Sequence, residues 1–224
     1  MSPRSVLPAR LDAVLFDMDG TLVDTERVWW QAAAEAAARL GRDLTDADIP
    51  HVLGRSVGHT AAHLARTASG TAPLDLADQL DARFAELVAH DVVPRPGAVA
   101  LLEALLAAGI TTALVSASPR RVVDLVLGVL GREYFTVSVS ADDTVRTKPD
   151  PDPYLAAVRL LGARADRCVA VEDTPTGVAS AEAAGCPVVV VPSMVPIDPA
   201  PGRIILDSLH QADPELLRSL VAVR

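Results

Sequence analysis

Six short apolar runs recur along the chain, and most are separated by longer stretches with the period of a helix. The runs are Ala13–Phe16, Thr112–Val115, Thr136–Ser140, Cys168–Val171, Val188–Val191 and Ile204–Leu206. Brief apolar segments alternating with helical patterns are the signature of a parallel sheet with crossover helices. The helix candidates Ala98–Ala108, Tyr154–Leu161 and Thr176–Ala184 stop at Gly109, Gly162 and Gly185. Glycine there takes the left-handed backbone of a helix end without a steric penalty. Asp152-Pro153 and Thr174-Pro175 read as N-cap residues followed by proline at the first helical position.

From about Thr25 to Pro94 this rhythm breaks. Arg27–Leu40, Ala47–Leu53, Val57–Ala68 and Leu76–His90 read as successive helices with no strand among them, and Pro94-Arg95-Pro96-Gly97 reads as a return hinge. The expected organisation is an α/β core, residues 1–24 and 95–224, interrupted after its first strand by an all-helical insert, residues 25–94. With 224 residues, half of them hydrophobic, the chain can bury a sizeable core. Aromatic residues make up only 3%, so alanine, leucine and valine must fill it.

The formal charge of −9 argues against a nucleic-acid or anionic-membrane partner. No apolar run reaches the ~18 residues of a membrane span. Met1–Arg10 lacks the apolar centre of a signal peptide. Cys168 and Cys186 are too few and too far apart for a disulfide framework or a Cys-x-x-Cys site. A soluble cytoplasmic protein, a monomer or weak dimer, is expected.

Polar residues cluster where the runs end. Asp17 and Asp19 follow Val14-Leu15-Phe16 and precede Gly20-Thr21. Strand residues two apart point to the same side, and open α/β sheets bind ligands beyond the carboxyl ends of their strands. Two carboxylates there suit a nucleophile with a general acid/base, or a shared cation; an Asx-type turn is the plainer reading. Glycine stands fourth and a strand precedes, which does not fit an EF-hand loop. Ser116 ends the second run and is either a helix N-cap or a ligand-facing hydroxyl. Glu172 and Asp173 end Cys168-Val169-Ala170-Val171, and adjacent acids at a sheet edge call for a cation or a hydrogen-bond network. Magnesium, a hard ion that takes oxygen ligands, fits.

Lys148 is the only lysine in the chain. An ammonium kept where every other basic side chain is arginine suggests a site that needs a compact charge, such as an anion site beside a metal. Chance survival on a solvated loop is the alternative.

The segment Leu15-Phe16-Asp17-Met18-Asp19-Gly20-Thr21-Leu22-Val23-Asp24-Thr25-Glu26 resembles the first motif of the haloacid dehalogenase superfamily. Val115-Ser116-Ala117-Ser118 resembles its second, Lys148-Pro149-Asp150-Pro151-Asp152-Pro153 its third, and Val171-Glu172-Asp173-Thr174-Pro175-Thr176-Gly177-Val178 its fourth. The order is that of the superfamily, and the resemblance runs from about Leu11 to Val191. It points to the subgroup with a helical cap after motif one, which includes β-phosphoglucomutases and small sugar or polyol phosphate phosphatases. A Rossmann-like core is implied.

The resemblance also implies roles. Asp17 would attack phosphorus and form an aspartyl-phosphate, while Asp19 protonates the leaving oxygen and later activates water. Mg2+ would be held by Asp17, the Asp19 main-chain carbonyl and Asp173, with Glu172 nearby or coordinating. Ser116, the Ala117 amide and Lys148 would bind the phosphoryl oxygens. Arg55, in Gly54-Arg55-Ser56, is the cap candidate for touching the substrate, a small-molecule phosphate ester.

Departures from the subgroup matter too. Trp29 stands where a histidine is often found, and Val57 and Pro119 stand where β-phosphoglucomutases carry an arginine and a lysine. Hydrolysis of a phosphate monoester is therefore expected. A phosphosugar mutase, with Arg55 and Arg120 standing in for the missing cations, is the alternative. Retention of both Asp17 and Asp19 disfavours a non-catalytic binding protein on the same scaffold. The cap has no lysine for a phosphonoacetaldehyde hydrolase, and the metal-binding acids exclude the dehalogenase branch. His59 and His63, four apart, are expected on a polar helix face rather than at a metal. Trp29-Trp30 is expected to pack in the cap or to stack on substrate.

Overall fold

The structure, a computed structural model, describes residues 10–68, 74–193 and 195–222. Apart from Arg10, the segment Met1–Arg10 read for a leader lies outside the described residues. All six apolar runs become strands: β1 (Ala13–Phe16), β2 (Thr111–Val115), β3 (Val137–Val139), β4 (Cys168–Glu172), β5 (Val188–Val190) and β6 (Arg203–Ile205). They form one parallel sheet in the order β3-β2-β1-β4-β5-β6. Helices α1 (Thr25–Arg39), α2 (Ile49–Val52), α3 (Val57–Thr67) and α4 (Leu76–Asp91) lie between β1 and the rest of the sheet in sequence. After them α5 (Ala98–Ala107) precedes β2, α6 (Arg120–Leu130) precedes β3, α7 (Asp152–Leu161) precedes β4, and α8 (Pro175–Ala183) precedes β5. Helix α9 (Pro214–Ala222) follows β6. No described helix is long and apolar enough to cross a membrane.

Strand alternation sorts the core into two layers. Val14, Phe16, Leu114, Val169 and Val171 pack with residues of α5, α6 and α9 on one face. Ala13, Leu15, Ala113, Val115 and Ala170 pack with α7 and α8 on the other. All four β1 residues are buried, which is why that run reads as continuously apolar. A third cluster joins the four helices after β1, with Trp29, Ala33, Ala36 and Ala37 of α1 against Val52, Leu64 and Leu80. Alanine on α1 brings α4 close, and the larger side chains of the neighbouring helices fill the remaining space.

Some local expectations shift. Helix α7 begins at Asp152, with Pro153 at its second position, so Asp152 is not the N-cap. Its carboxylate instead accepts from Arg146 Nε and Nη2 at 3.1 and 2.8 Å. Thr174 does cap α8, accepting from Gly177 N at 3.1 Å ahead of Pro175. The Ala47–Leu53 stretch divides into a 3-10 turn at Asp46–Asp48 and the short α2. Gly97 in the return hinge has φ 87°, and a Cβ there would lie 2.5 Å from His210 N, so a side chain is excluded on both counts.

The polar-face expectation fails for His63. It is buried, and its Nε2 lies 2.7 Å from Asp48 Oδ1, while Asp48 also accepts from Arg42 Nη2 at 2.6 Å. Burial alone would raise the Asp48 carboxyl, but bonds from Arg42, His63 and Thr45 outweigh it and hold it well below the usual carboxylate range. The His51 ring stacks on His63 at 4.3 Å and on the exposed His59 at 5.9 Å. The cluster ties α2 to α3.

Candidate active site

Strands β1, β2 and β4 are neighbours, and register fixes what their ends share. Phe16 pairs with Leu114 on one side and Val171 on the other. One step further along lie Asp17, Val115 and Glu172, at the point where the strand order departs in opposite directions from β1. The Asp17 N–H still donates to Val171 O at 2.9 Å, so its side chain is anchored by the ladder. Asp19 sits in a tight turn closed by Leu22 N to Met18 O at 3.0 Å and Gly20 N to Val23 O at 2.8 Å. Gly20 has φ 84°, and a Cβ there would fall 2.1 Å from Asp173 Oδ2. Glycine is what lets this turn press against the end of β4.

Lys148 Nζ donates to Asp17 Oδ1 at 2.6 Å, Glu172 Oε1 at 2.7 Å and Val115 O at 2.9 Å. Three donors from one nitrogen match a tetrahedral ammonium, and at 5% side-chain exposure there is no room for a planar fork. The single lysine is therefore not a solvated survivor. Burial alone would lower its pKa, but Asp17 and Glu172 override that and raise it above its ordinary value.

Glu172 is fully buried and saturated: Oε1 also accepts from Tyr154 Oη at 2.6 Å, and Oε2 from Asp173 N at 3.1 Å. A Cβ on Gly177 would sit 2.0 Å from Glu172 Oε1, so the start of α8 is glycine where the carboxylate needs space. Ser193 Oγ donates to Asp173 Oδ2. Among the described residues, Asp19 is held by hydroxyls alone. Thr25 Oγ1 donates to its Oδ1 at 2.8 Å, and Ser116 Oγ and Ser118 Oγ donate to its Oδ2 at 3.0 and 2.9 Å.

The test of a cation site lies in what is left over. Ligand oxygens of Asp17, Glu172 and Asp173 lie within 4.8 Å of one another. Asp17 Oδ2 and Asp173 Oδ1 are buried without a hydrogen-bond partner. Burial, with the neighbouring acids, pushes Asp17 well above the usual carboxylate range despite Lys148, and burial pushes Asp173 up to about 6. One ammonium among three buried carboxylates leaves negative charge uncompensated, and hard oxygen donors with free lone pairs fit a divalent cation. His59 and His63 are not part of this group.

The sequence pattern of the haloacid dehalogenase-like hydrolases matches residues 11–185. The chain belongs to this family. Hexitol phosphatase A of Escherichia coli is 34% identical over 194 residues, covering 81% of this chain and 83% of that protein. Phosphoglycolate phosphatase of Rhodospirillum rubrum is 38% identical over 192 residues, covering 80% and 78%. The crystal structure of a CbbY mutant from Rhodobacter sphaeroides, in complex with xylulose-1,5-bisphosphate, superposes with a TM-score of 0.73 at 29% identity, covering 90% of this chain and 96% of that one.

A cavity of about 640 Å³ opens above Asp19, walled by Thr25, Glu26 and Trp29 of α1, Arg55, and Ala117 with Ser118 after β2. Asp17, Asp19, Ser116, Lys148, Glu172 and Asp173 are thus brought together, with Ala117 and Arg55 on the cavity wall. Arg120 is not among its lining residues. Its guanidinium is bound to Ser138 Oγ at 2.8 Å and to Asp143. Trp29 both packs and lines: its Nε1 donates to Val52 O at 2.8 Å, and its ring meets Phe84 edge-on at 5.2 Å.

Thr25, Glu26, Ser118, Tyr154 and Ser193 carry site contacts that were not assigned from sequence. The first four lie inside or just beyond the motif segments, and Ser193 stands three residues past the end of β5. A hydroxyl just past a buried strand is the signal that finds the last of these. Burial raises the Glu26 carboxyl to about 7, with Asp19 and Asp173 adding to the effect and a bond from Gly54 N opposing it.

Proposed function

We propose that the protein is a magnesium-dependent phosphatase that hydrolyses a small phosphate monoester, of a sugar or polyol, through an aspartyl-phosphate on Asp17. One observation carries this reading: Asp17, with an unpartnered Oδ2, lies within the field of the hydroxyl-held Asp19, and Asp19 lines the cavity. An Asp17 oxygen attacks phosphorus, the ester P–O bond breaks, and the leaving oxygen takes its proton from Asp19. Water then attacks the aspartyl-phosphate while Asp19 accepts a proton from it, which frees inorganic phosphate and restores Asp17.

The Ser116 hydroxyl, the Ala117 N–H and Lys148 bind the phosphoryl oxygens, so most of the rate comes from positioning and charge stabilisation. All three Lys148 donors are engaged in the free protein, so it contacts phosphate by exchanging one of them. Asp17, Asp173 and the Asp19 main-chain carbonyl would hold Mg2+. Its charge, when bound, offsets that of the phosphoryl oxygens. Glu172, its oxygens already taken by Lys148, Tyr154 and the Asp173 N–H, steadies Lys148 beside the ion. Residues 25–94 act as a cap on the core of residues 1–24 and 95–224, and Glu26, Trp29 and Arg55 meet the leaving group.

The test is phosphate release from a panel of sugar, polyol and nucleotide monophosphates with magnesium. Asp17→Asn should leave less than about 1% of the activity, since even one lost transition-state donor commonly costs about 10²–10³. A chelator should abolish turnover and magnesium restore it. Full activity in either experiment refutes the covalent, metal-dependent scheme. Bisphosphate-stimulated isomerisation of β-glucose 1-phosphate with little phosphate release would favour the mutase instead.

A further inference from the structure

Two of the acids at the strand ends share a pattern: one oxygen is tied and the other is not. Lys148 ties Asp17 Oδ1, and Asp17 Oδ2 is buried without a partner. Ser193 Oγ ties Asp173 Oδ2, and Asp173 Oδ1 is left in the same way. Both oxygens of Glu172 are occupied. Lys148 belongs to a motif segment, whereas Ser193 lies beyond all four.

Strand register explains how a serine past β5 reaches the end of β4. Glu172 pairs with Val190, and Val191 N donates to Glu172 O at 2.8 Å, so the strands stay matched to the last residue of β4. Pro192 has no N–H to extend the ladder, and the chain turns out of the sheet with the Ser193 hydroxyl on Asp173. On the other side of β4, β1 leads into Gly20. A Cβ there would fall 2.1 Å from Asp173 Oδ2 and 3.1 Å from Ser193 Oγ. Asp173 is thus clamped between a hydroxyl from the β5 end and bare backbone from the β1 end, and Oδ2 is shut off by both.

The chemistry of the clamp bears on which cation the cluster takes. A hydroxyl fixes the carboxylate without cancelling the negative charge that a cation uses, as a second ammonium would. Magnesium is small, demands near-octahedral geometry and takes few protein oxygens, whereas calcium is larger, coordinates loosely and can take both oxygens of one carboxylate. We propose that Ser193 is a positioning residue of the cation site: by occupying Oδ2 it limits Asp173 to one oxygen, and so favours magnesium over calcium. The inference rests on the metal-dependent phosphatase reading and deepens it. Ser193 acts through Asp173, as Lys148 does through Asp17.

Calorimetric titration of magnesium, and separately of calcium, into chelator-stripped parent, Ser193→Ala and Ser193→Thr tests this without any turnover. Ser193→Ala should raise the magnesium Kd by about tenfold or more, the scale for a lost partner behind a metal ligand. Calcium, able to take Oδ2 as well, should lose less, so the ratio of calcium to magnesium Kd should fall. Ser193→Thr keeps the hydroxyl and should keep both constants near those of the parent. In kinetics the alanine variant should need more magnesium for half its maximal rate, with KM for the phosphate ester unmoved. Ser193 is only half-buried, and alanine removes a single oxygen, so the variant should fold; its Tm in chelator checks this. A lower Tm with both metal constants unchanged would make Ser193 a structural residue and overturn the inference. An equal loss for the two ions would overturn it too, and either result leaves the phosphatase reading standing. No magnesium binding by the parent removes the metal-dependent reading and the inference with it.

Discussion

Asp173→Asn isolates the charge that the acid cluster stores when no cation is bound. Burial lifts the Asp173 carboxyl from 3.8 to about 6, which at 1.36 kcal/mol per unit corresponds to roughly 3 kcal/mol. The folded pKa lies above the unfolded one. As pH rises through about 4 the unfolded chain gives up its proton first, while the folded protein keeps it until about 6. Stability contributed by this group is therefore whole below about pH 4, falls between pH 4 and 6, and is gone above. Asparagine mimics the protonated acid at every pH and can still accept from Ser193. In a chelator the variant and the parent should match near pH 4, and the variant should be more stable by about 3 kcal/mol at pH 7. For a chain of this length that is about 6–12 °C in Tm. Comparing the two proteins across pH cancels the opposite contributions of Asp48 and Asp143, whose carboxyls are lowered. With magnesium at about 100 times its Kd the parent gains about 2.7 kcal/mol that the variant lacks, and the gap closes or reverses. Parallel stability curves in chelator, or a gap that narrows as pH rises, would refute the stored-charge argument.

Lys148→Arg should lower kcat/KM by about tenfold or more, because three acceptors that converge on one nitrogen cannot be met by a planar fork. A neutral result in steady-state kinetics would make the lone lysine an accident. Tyr154→Phe removes a donor to a fully buried carboxylate and should cost about 1.5–3 kcal/mol by urea denaturation, the range for hydrogen bonds to charged groups. Gly20→Ala meets both a positive φ and a contact at 2.1 Å, so magnesium affinity by calorimetry should fall even in protein that retains its helical circular dichroism.

Reading the sequence located the inner strands β1, β2, β4 and β5 well because they are buried on both faces, and a continuous apolar run is a strong local signal. It placed Asp17, Ser116 and Glu172 together for the same reason: their positions follow from where strands end. Helix α6 was not singled out, although Val122, Val123, Val126, Leu127 and Leu130 line its buried face. Those residues follow the helical period, but valine is a weak helix former, and the packing that holds α6 comes from the sheet and α4. His63 was misjudged because its burial depends on Asp48, fifteen positions earlier, and on Arg42 beyond it. No local pattern announces a histidine satisfied at that range.

The contacts around Asp19 show a further limit of sequence patterns. Ser116 and Ser118 reach it from ninety-seven and ninety-nine positions away, while Thr25 reaches it from six. Each serine on its own reads as a helix cap or a turn residue, and both are spent on one carboxylate because β2 lies beside β1. The same sheet order sets Lys148 between Asp17 and Glu172. Removing any one partner leaves a buried charge or a buried donor unmatched, at a cost of about 1–3 kcal/mol or more. The site is therefore a set of mutual neutralisations rather than a row of independent side chains. Two carboxylate oxygens in it, Asp17 Oδ2 and Asp173 Oδ1, stay unmatched, and the proposed cation would complete them.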